Sequence, residues 1–297
     1  MNTSRPPRSS ASTPAPGPAA HSSSGAPDPS AGSVPPDGGA GQEWLEWRAA
    51  RIASVTAPYG PLALTGTHWL ADAAAGGSLP GVPGRWTADG DEVVLTAVPA
   101  DGLSVDGRPL GGSVRLGPDT GPDGARVARG EQRLVVLRRE GSWAVRVFDP
   151  GAAARRAFRG IDVFAYDPRW AVPAVHRPYP DGREIRVDNA DGRRRGLHLA
   201  GEVVFEAGGA EHRLAAVAEA GGALWIVFAD GTSGRSSYRF RFLRPGTTAA
   251  DGTLTLDFNR AFLPPCAFAD HFICPFPPPG NTLPLDVPAG ERNLTGD

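Results

Sequence analysis

The sequence predicts a mainly β protein: an N-terminal β-sandwich preceded by a short helix, followed by a C-terminal antiparallel β domain. Two observations carry this prediction. Short apolar runs rich in Val, Leu, Trp and Phe recur between Asp-Gly, Gly-Pro and Gly-Gly punctuation, the rhythm of consecutive antiparallel strands. No long helical pattern follows them, so the crossovers of a parallel sheet have no material.

Taken in order, residues 1–41 are Ser, Ala, Pro and Gly with scattered charges and no aromatic residue. Such a composition buries too little apolar surface to offset chain entropy, and a disordered tail is expected. It lacks the apolar core of a secretory signal, so the cytoplasm is the expected location. From Gln42 to about Val55, Trp44, Trp47, Ile52 and Val55 fall near one face at helical spacing, with Glu43, Glu46, Arg48 and Arg51 mostly elsewhere. Two indoles on one side of a short helix require a β surface to dock on. Strands are expected at 93–98, 103–105, 114–116, 134–139 and 143–149, completing a domain over 42–155.

Prolines between Pro150 and Pro180 remove ladder donors and mark the junction. A second series at 183–187, 201–206, 211–218, 223–229, 238–243 and 253–258 builds a C-terminal β domain over 156–292. A proline-rich loop closes it, and 293–297 form a short tail.

Composition narrows the chemistry. All 30 basic residues are arginine, and the sequence contains no lysine. P-loop phosphate binding, pyridoxal chemistry and Schiff-base catalysis, which each need a lysine amine, are excluded. A net charge of −2 supplies no field for nucleic-acid phosphates. No apolar run approaches the ~20 residues of a membrane helix.

Several segments share a pattern. They are Tyr59-Gly60-Pro61 through His68-Trp69-Leu70, Phe158-Arg159-Gly160, Arg177-Pro178-Tyr179, Asp257-Phe258-Asn259-Arg260-Ala261, and Cys274-Pro275-Phe276 through Gly280-Asn281. Together they resemble the bacterial family called domain of unknown function 1684, over about residues 44–292. The resemblance implies kinship and fold, and no activity. The N-terminal half is also weakly similar to the forkhead-associated β-sandwich, with Val105-Asp106-Gly107-Arg108 at a comparable turn, which implies phosphopeptide reading. Of the residues that reading needs, Gly84-Arg85 is present, while no histidine occurs between His68 and His176.

The C-terminal stretch concentrates the candidate site. Alternation puts Tyr238, Phe240 and Phe242 opposite Arg239 and Arg241, and Leu254, Leu256 and Phe258 opposite Asp257 and Asn259. If the two strands pair as a hairpin, an Arg, Asp and Asn face forms beside the loop that begins at Cys266. Guanidinium forks match carboxylate and phosphate oxygens, and the Gly231–Gly234 turn supplies backbone donors. The expected ligand-binding set is therefore Ser233, Arg239, Arg241, Asp257, Asn259, Arg260 and Asn281, taking a small polar or anionic molecule. No cofactor, metal, nucleic acid or membrane is expected.

Cys266 and Cys274 stay open between buried apolar thiols, a disulfide, zinc ligation with His271, and a nucleophile needing a neighbouring base. Two other readings stand beside ligand binding. One is an enzyme, a hydrolase or isomerase with Asp257 or Cys266 as catalytic candidates or acting through a histidine. The other is a protein-interaction module working through the N-terminal sandwich.

Overall fold

The computed structural model describes residues 38–296. The tail expected over 1–41 therefore lies outside the described residues as far as 37, and its last positions already enter the first helix, α1 (Gly39–Thr56). That helix ends at Ala57, which precedes Pro58 and is extended, as the residue before a proline must be. Trp44 and Val55 are buried while Trp47 and Ile52 are half-buried, so the apolar stripe faces inward as its spacing predicts.

The next strands are β1 (Leu64–Trp69), β2 (Ser78–Leu79), β3 (Val82–Asp89), β4 (Glu92–Ala97), β5 (Leu103–Val105), β6 (Arg108–Pro109), β7 (Gly112–Leu116), β8 (Val127–Arg129), β9 (Gln132–Arg139) and β10 (Ser142–Phe148). A six-stranded sheet in the order β1-β10-β9-β8-β5-β6 faces a four-stranded sheet in the order β2-β3-β4-β7. Trp86, Leu95, Leu116, Leu134, Val136 and Val145 fill the space between them. The predicted sandwich is present. Asp106 and Gly107 both take positive φ at the β5–β6 turn, the backbone that suits a tight hairpin to strand twist.

The second half runs α2 (Ala153–Ala157), β11 (Ile161–Val163), β12 (Ala171–Asp188), β13 (Arg194–Ala207), β14 (Ala210–Ala218), β15 (Leu224–Phe228), β16 (Arg241–Leu243), β17 (Thr253–Asp257) and β18 (Glu291–Leu294). Six strands form an antiparallel sheet in the order β16-β15-β14-β13-β12-β17, and β11 pairs with β18. One face of the sheet holds Phe205, Leu214, Ile226, Phe228, Leu256 and Phe258 around a common core. Among the described residues no helix is long and apolar enough to cross a membrane.

Two expectations are corrected. The proline-rich stretch to Pro180 is a link only in its first part, because β12 runs through Pro173, Pro178 and Pro180. Pro173 sits where only β17 is alongside, and Pro178 and Pro180 sit at a register shift against β13, positions where a missing N–H breaks no ladder. The hairpin proposed between 238–243 and 253–258 does not form. β16 pairs with β15 and, through Phe242, with Phe262, while β17 pairs with β12 at the opposite edge of the sheet.

Candidate functional site

With that hairpin absent, the residues expected to form one site are distributed to four places. Arg241 is fully buried. It donates to Asp230 Oδ2 at 2.7 Å, to the Val287 carbonyl at 3.0 Å and to the Ala289 and Glu291 carbonyls. Ser233 belongs to the same turn, its hydroxyl accepting from the Asp230 amide at 3.1 Å.

Asp257, Asn259 and Arg260 form a second group, at the junction of β17 and α1. Asp257 accepts from the Asn259 amide and side chain, and Asn259 exchanges hydrogen bonds with the Asp167 backbone. Arg260 lies 3.3 Å from Asp257 and 3.5 Å from Glu43 on the helix, and the Trp44 indole donates to the Asn259 carbonyl. Asn281 is a third, separate brace. Its amide is buried and joins the Ala215 N–H and C=O to the Val227 C=O, tying β14 to β15.

Arg239 lies apart from all of these, near Cys266. Arg239 is exposed and stacks on Phe276 at 4.7 Å. Cys266 and Cys274 are both buried and reduced, and the Cys266 amide donates to Cys274 Sγ at 3.4 Å. Among the described residues no three His, Cys, Asp or Glu side chains converge to hold a metal ion, Cys266, His271 and Cys274 included.

The structure instead gathers unused charge at a place the sequence reading passed over. In β9, Leu134 and Val136 point into the sandwich, so Val135, Leu137 and Arg139 line its outer face. In β10 the same alternation puts Ala144, Arg146 and Phe148 outside. Val135 and Phe148 are nonetheless buried, because the loop after Pro264 lies over them. A 3-10 turn at Pro265–Ala267 starts that loop, and Phe272 and Ala269 pack on Val135 and Phe148. Farther on, Ala190 donates to the Cys274 carbonyl and Phe276 to the Asp188 carbonyl, which anchors the loop to the β12–β13 turn.

Between loop and sheet lies a cleft of about 330 Å³. Trp225, Phe242 and Phe272 give it flat apolar walls, Arg139 and Arg146 its charge, and Cys274 part of one side. Trp225 and Phe242 meet edge to face at 4.8 Å. Arg138 also borders the cleft but is paired with Asp91 at 2.6 Å. A larger groove of about 580 Å³ along β12 and β17 is mostly aliphatic, with Val172, Ala174, Val175 and Leu254 in its lining.

Arg146 is the distinctive group. Its guanidinium stacks on Phe272 at 5.2 Å, and its Nε donates to Thr67 Oγ1 at 3.3 Å. Thr67 in turn donates to the His271 carbonyl at 2.8 Å, which fixes the loop to β1. The two terminal nitrogens of Arg146 make no hydrogen bond among the described residues, and no carboxylate there pairs with it. Burial draws Arg146 below its ordinary value, with Cys274 opposing and the like charges of Arg139 and Arg195 adding to the downward pull. Arg195 is itself answered by Asp191 through two bonds of 2.7 Å. A half-buried guanidinium that keeps a bidentate edge free and has no counter-charge suits an anionic guest.

One signal in the sequence pointed here. Leu134-Val135-Val136-Leu137 is apolar on both faces, as a strand covered on both sides must be. Arg139 and Arg146 then follow on the covered outer face.

Comparison with known proteins supplies kinship. The sequence model of the family described as "Protein of unknown function (DUF1684)" matches residues 156–292. Among solved structures, the chain is similar to the solution NMR structure of an uncharacterized protein from gene locus rrnAC0354 of Haloarcula marismortui. It is 32% identical over 48% of this chain and 81% of that one, with a TM-score of 0.40. No curated protein matches the chain.

Proposed function

Residues 156–292 match the DUF1684 family model, which carries no activity, and from the cleft geometry we propose that the chain binds a small molecule bearing a carboxylate or phosphate group and a flat apolar part. The observation that carries this reading is Arg146, a half-buried cation whose free edge borders the cleft and which has no carboxylate partner among the described residues. The oxyanion sits against Arg146, with Arg139 adding longer-range attraction. The apolar part lies between Trp225, Phe242 and Phe272, where aromatic faces favour a planar partner. A volume of about 330 Å³ suits a metabolite rather than a polymer.

The test is calorimetric titration of aromatic and heterocyclic carboxylates and phosphates at low ionic strength, against wild type, Arg146→Met and Asp257→Asn. A charge-assisted bidentate contact supports a loss of roughly 10-fold or more in affinity for Arg146→Met. Asp257→Asn, remote from the cleft, is expected to bind as wild type does. Equal affinity of Arg146→Met and wild type, or no saturable binding of any such compound, refutes the assignment.

A further inference from the structure

We propose that Cys266 and Cys274 are an oxidisable thiol pair, a modification site at which a small hydroperoxide converts the two thiols to an intramolecular disulfide. The two residues are separated by seven others in sequence, Ala-Phe-Ala-Asp-His-Phe-Ile, and the 3-10 turn at Pro265–Ala267 folds the first back on the second. Their proximity is direct, with the Cys266 amide donating to Cys274 Sγ at 3.4 Å. Both share one apolar cluster with Phe240 and Phe242, and Cys274 also borders the arginine-lined cleft. The cleft brings a molecule little larger than water as far as Cys274, beside the buried Cys266.

The surroundings of Cys266 favour the thiolate. The Cys274 thiol donates to it, the Tyr238 hydroxyl lies 3.9 Å from its sulfur, and the Arg239 guanidinium is nearby. Against the opposing effect of burial, these lower the Cys266 thiol to about 7, the Cys274 bond contributing most. The same bond, with burial, raises Cys274. One sulfur is thus prepared as nucleophile while the other holds a proton until it is needed, the division of labour between an attacking and a resolving cysteine.

The chemistry balances with hydrogen peroxide as oxidant. The Cys266 thiolate forms a bond to one peroxide oxygen, the O–O bond breaks, and hydroxide leaves and takes up a proton as water. Cys274 then loses its proton and attacks the sulfenic sulfur of Cys266. The S–S bond forms as the S–O bond breaks, releasing a second water. Two electrons pass from the thiols to the peroxide.

Absence of lysine makes the readout direct. Trypsin cleaves only after arginine in this chain, and residues 261–292 form one peptide containing both cysteines. Reduced full-length protein is exposed to peroxide, unfolded, alkylated with iodoacetamide and digested. The expected result is a 261–292 peptide that has lost two hydrogens and takes up no alkyl group. Cys274→Ser is expected to stop at a sulfenic acid on Cys266, captured by dimedone. Cys266→Ser is expected to react with peroxide about tenfold more slowly than wild type, as a protonated thiol does. If the peptide still carries two alkylated cysteines at peroxide doses that fully oxidise dithiothreitol in the same tube, or if the disulfide forms only between molecules, the proposal is overturned. The disulfide does not rest on anion binding. Titrating anions into the oxidised and reduced forms is a separate readout, and its failure bears on the function proposed above alone.

Discussion

Replacing Arg241 with methionine tests how the C-terminal half is held together. The side chains of Arg241 and Asp230 are both fully enclosed and 2.7 Å apart. Burial draws Arg241 below its ordinary value, and Asp230 opposes that shift. Methionine fills similar volume and keeps contact with Phe228, over which the guanidinium lies at 5.3 Å. It leaves Asp230 charged and buried, with only the Thr232 and Val287 amides on Oδ1. Breaking a buried pair from one side costs about 3–5 kcal/mol. The carbonyls of Ala289 and Glu291 also lose this donor, each worth ~1 kcal/mol or more where water does not replace it, while the Val287 carbonyl keeps the Ala289 amide. A loss of at least about 4 kcal/mol follows, a large share of the roughly 5–15 kcal/mol that holds a domain folded. Urea unfolding followed by tryptophan fluorescence measures it. Adding Asp230→Asn to the variant removes the stranded charge and should recover part of the loss. A change within ~1 kcal/mol of wild type refutes the reasoning. If such a stable variant also lost anion binding, Arg241 would be a ligand residue, as its alternation with Phe240 and Phe242 first suggested.

Three further outcomes are expected. Asn281→Ala should cost on the order of 3 kcal/mol in urea, because the Ala215 amide and the Ala215 and Val227 carbonyls are left without partners; Asn281→Asp should cost more, since a carboxylate then faces two carbonyl oxygens. Gly290→Ala should be among the most damaging small substitutions, its Cβ falling 2.6 Å from the Ala261 oxygen and 2.7 Å from the Phe258 oxygen at φ +82°, and a thermal midpoint close to wild type would contradict this. Burial raises the Glu291 carboxyl above its ordinary value, against its ion pair with Arg51 and the Leu263 amide. The folded state therefore holds that proton more tightly than the unfolded one, and the contribution of Glu291 to stability falls as pH climbs from the ordinary carboxylate range through the raised value. The stability difference between wild type and Glu291→Gln, measured from about pH 4 to about pH 8, should shrink or reverse with rising pH; a difference that grows with pH would show the opposite shift.

The strands were largely legible in the sequence. Positions 103–105 and 134–139 fall within strands because local alternation and Gly-containing turns are cheap and sequence-local. What alternation does not encode is which strand lies alongside which. Arg241, Phe242 and Leu243 are all buried, so β16 has no solvent face from which an alternating polar row could be read. Beside β15, its other partner is Phe262, a loop residue with no strand signature of its own. The helix shows the same limit. Its tryptophan stripe was evident, yet Arg51, assigned to the polar side, reaches Glu291 at 3.1 Å and the Leu263 carbonyl at 2.8 Å. The cleft was missed for a related reason. Arg146 looks like any solvent-facing strand arginine until a loop more than a hundred residues later covers its neighbours.

The helix that precedes the sandwich has its chief partners at the far end of the chain. Trp44 meets Asn259 across 215 positions, and Arg51 meets Leu263 and Glu291 across 212 and 240. During synthesis α1 therefore leaves the ribosome with its aromatic stripe uncovered, while β1 to β10 can already assemble from neighbours in sequence. Burial of Trp44 waits for the chain to reach Asn259, and the Arg51 contacts wait for Leu263 and Glu291, a delay that exposes apolar surface to chaperones or to other nascent chains. A premature stop just after Asp257 would leave β1 to β17 made and strip the first-made element of these partners.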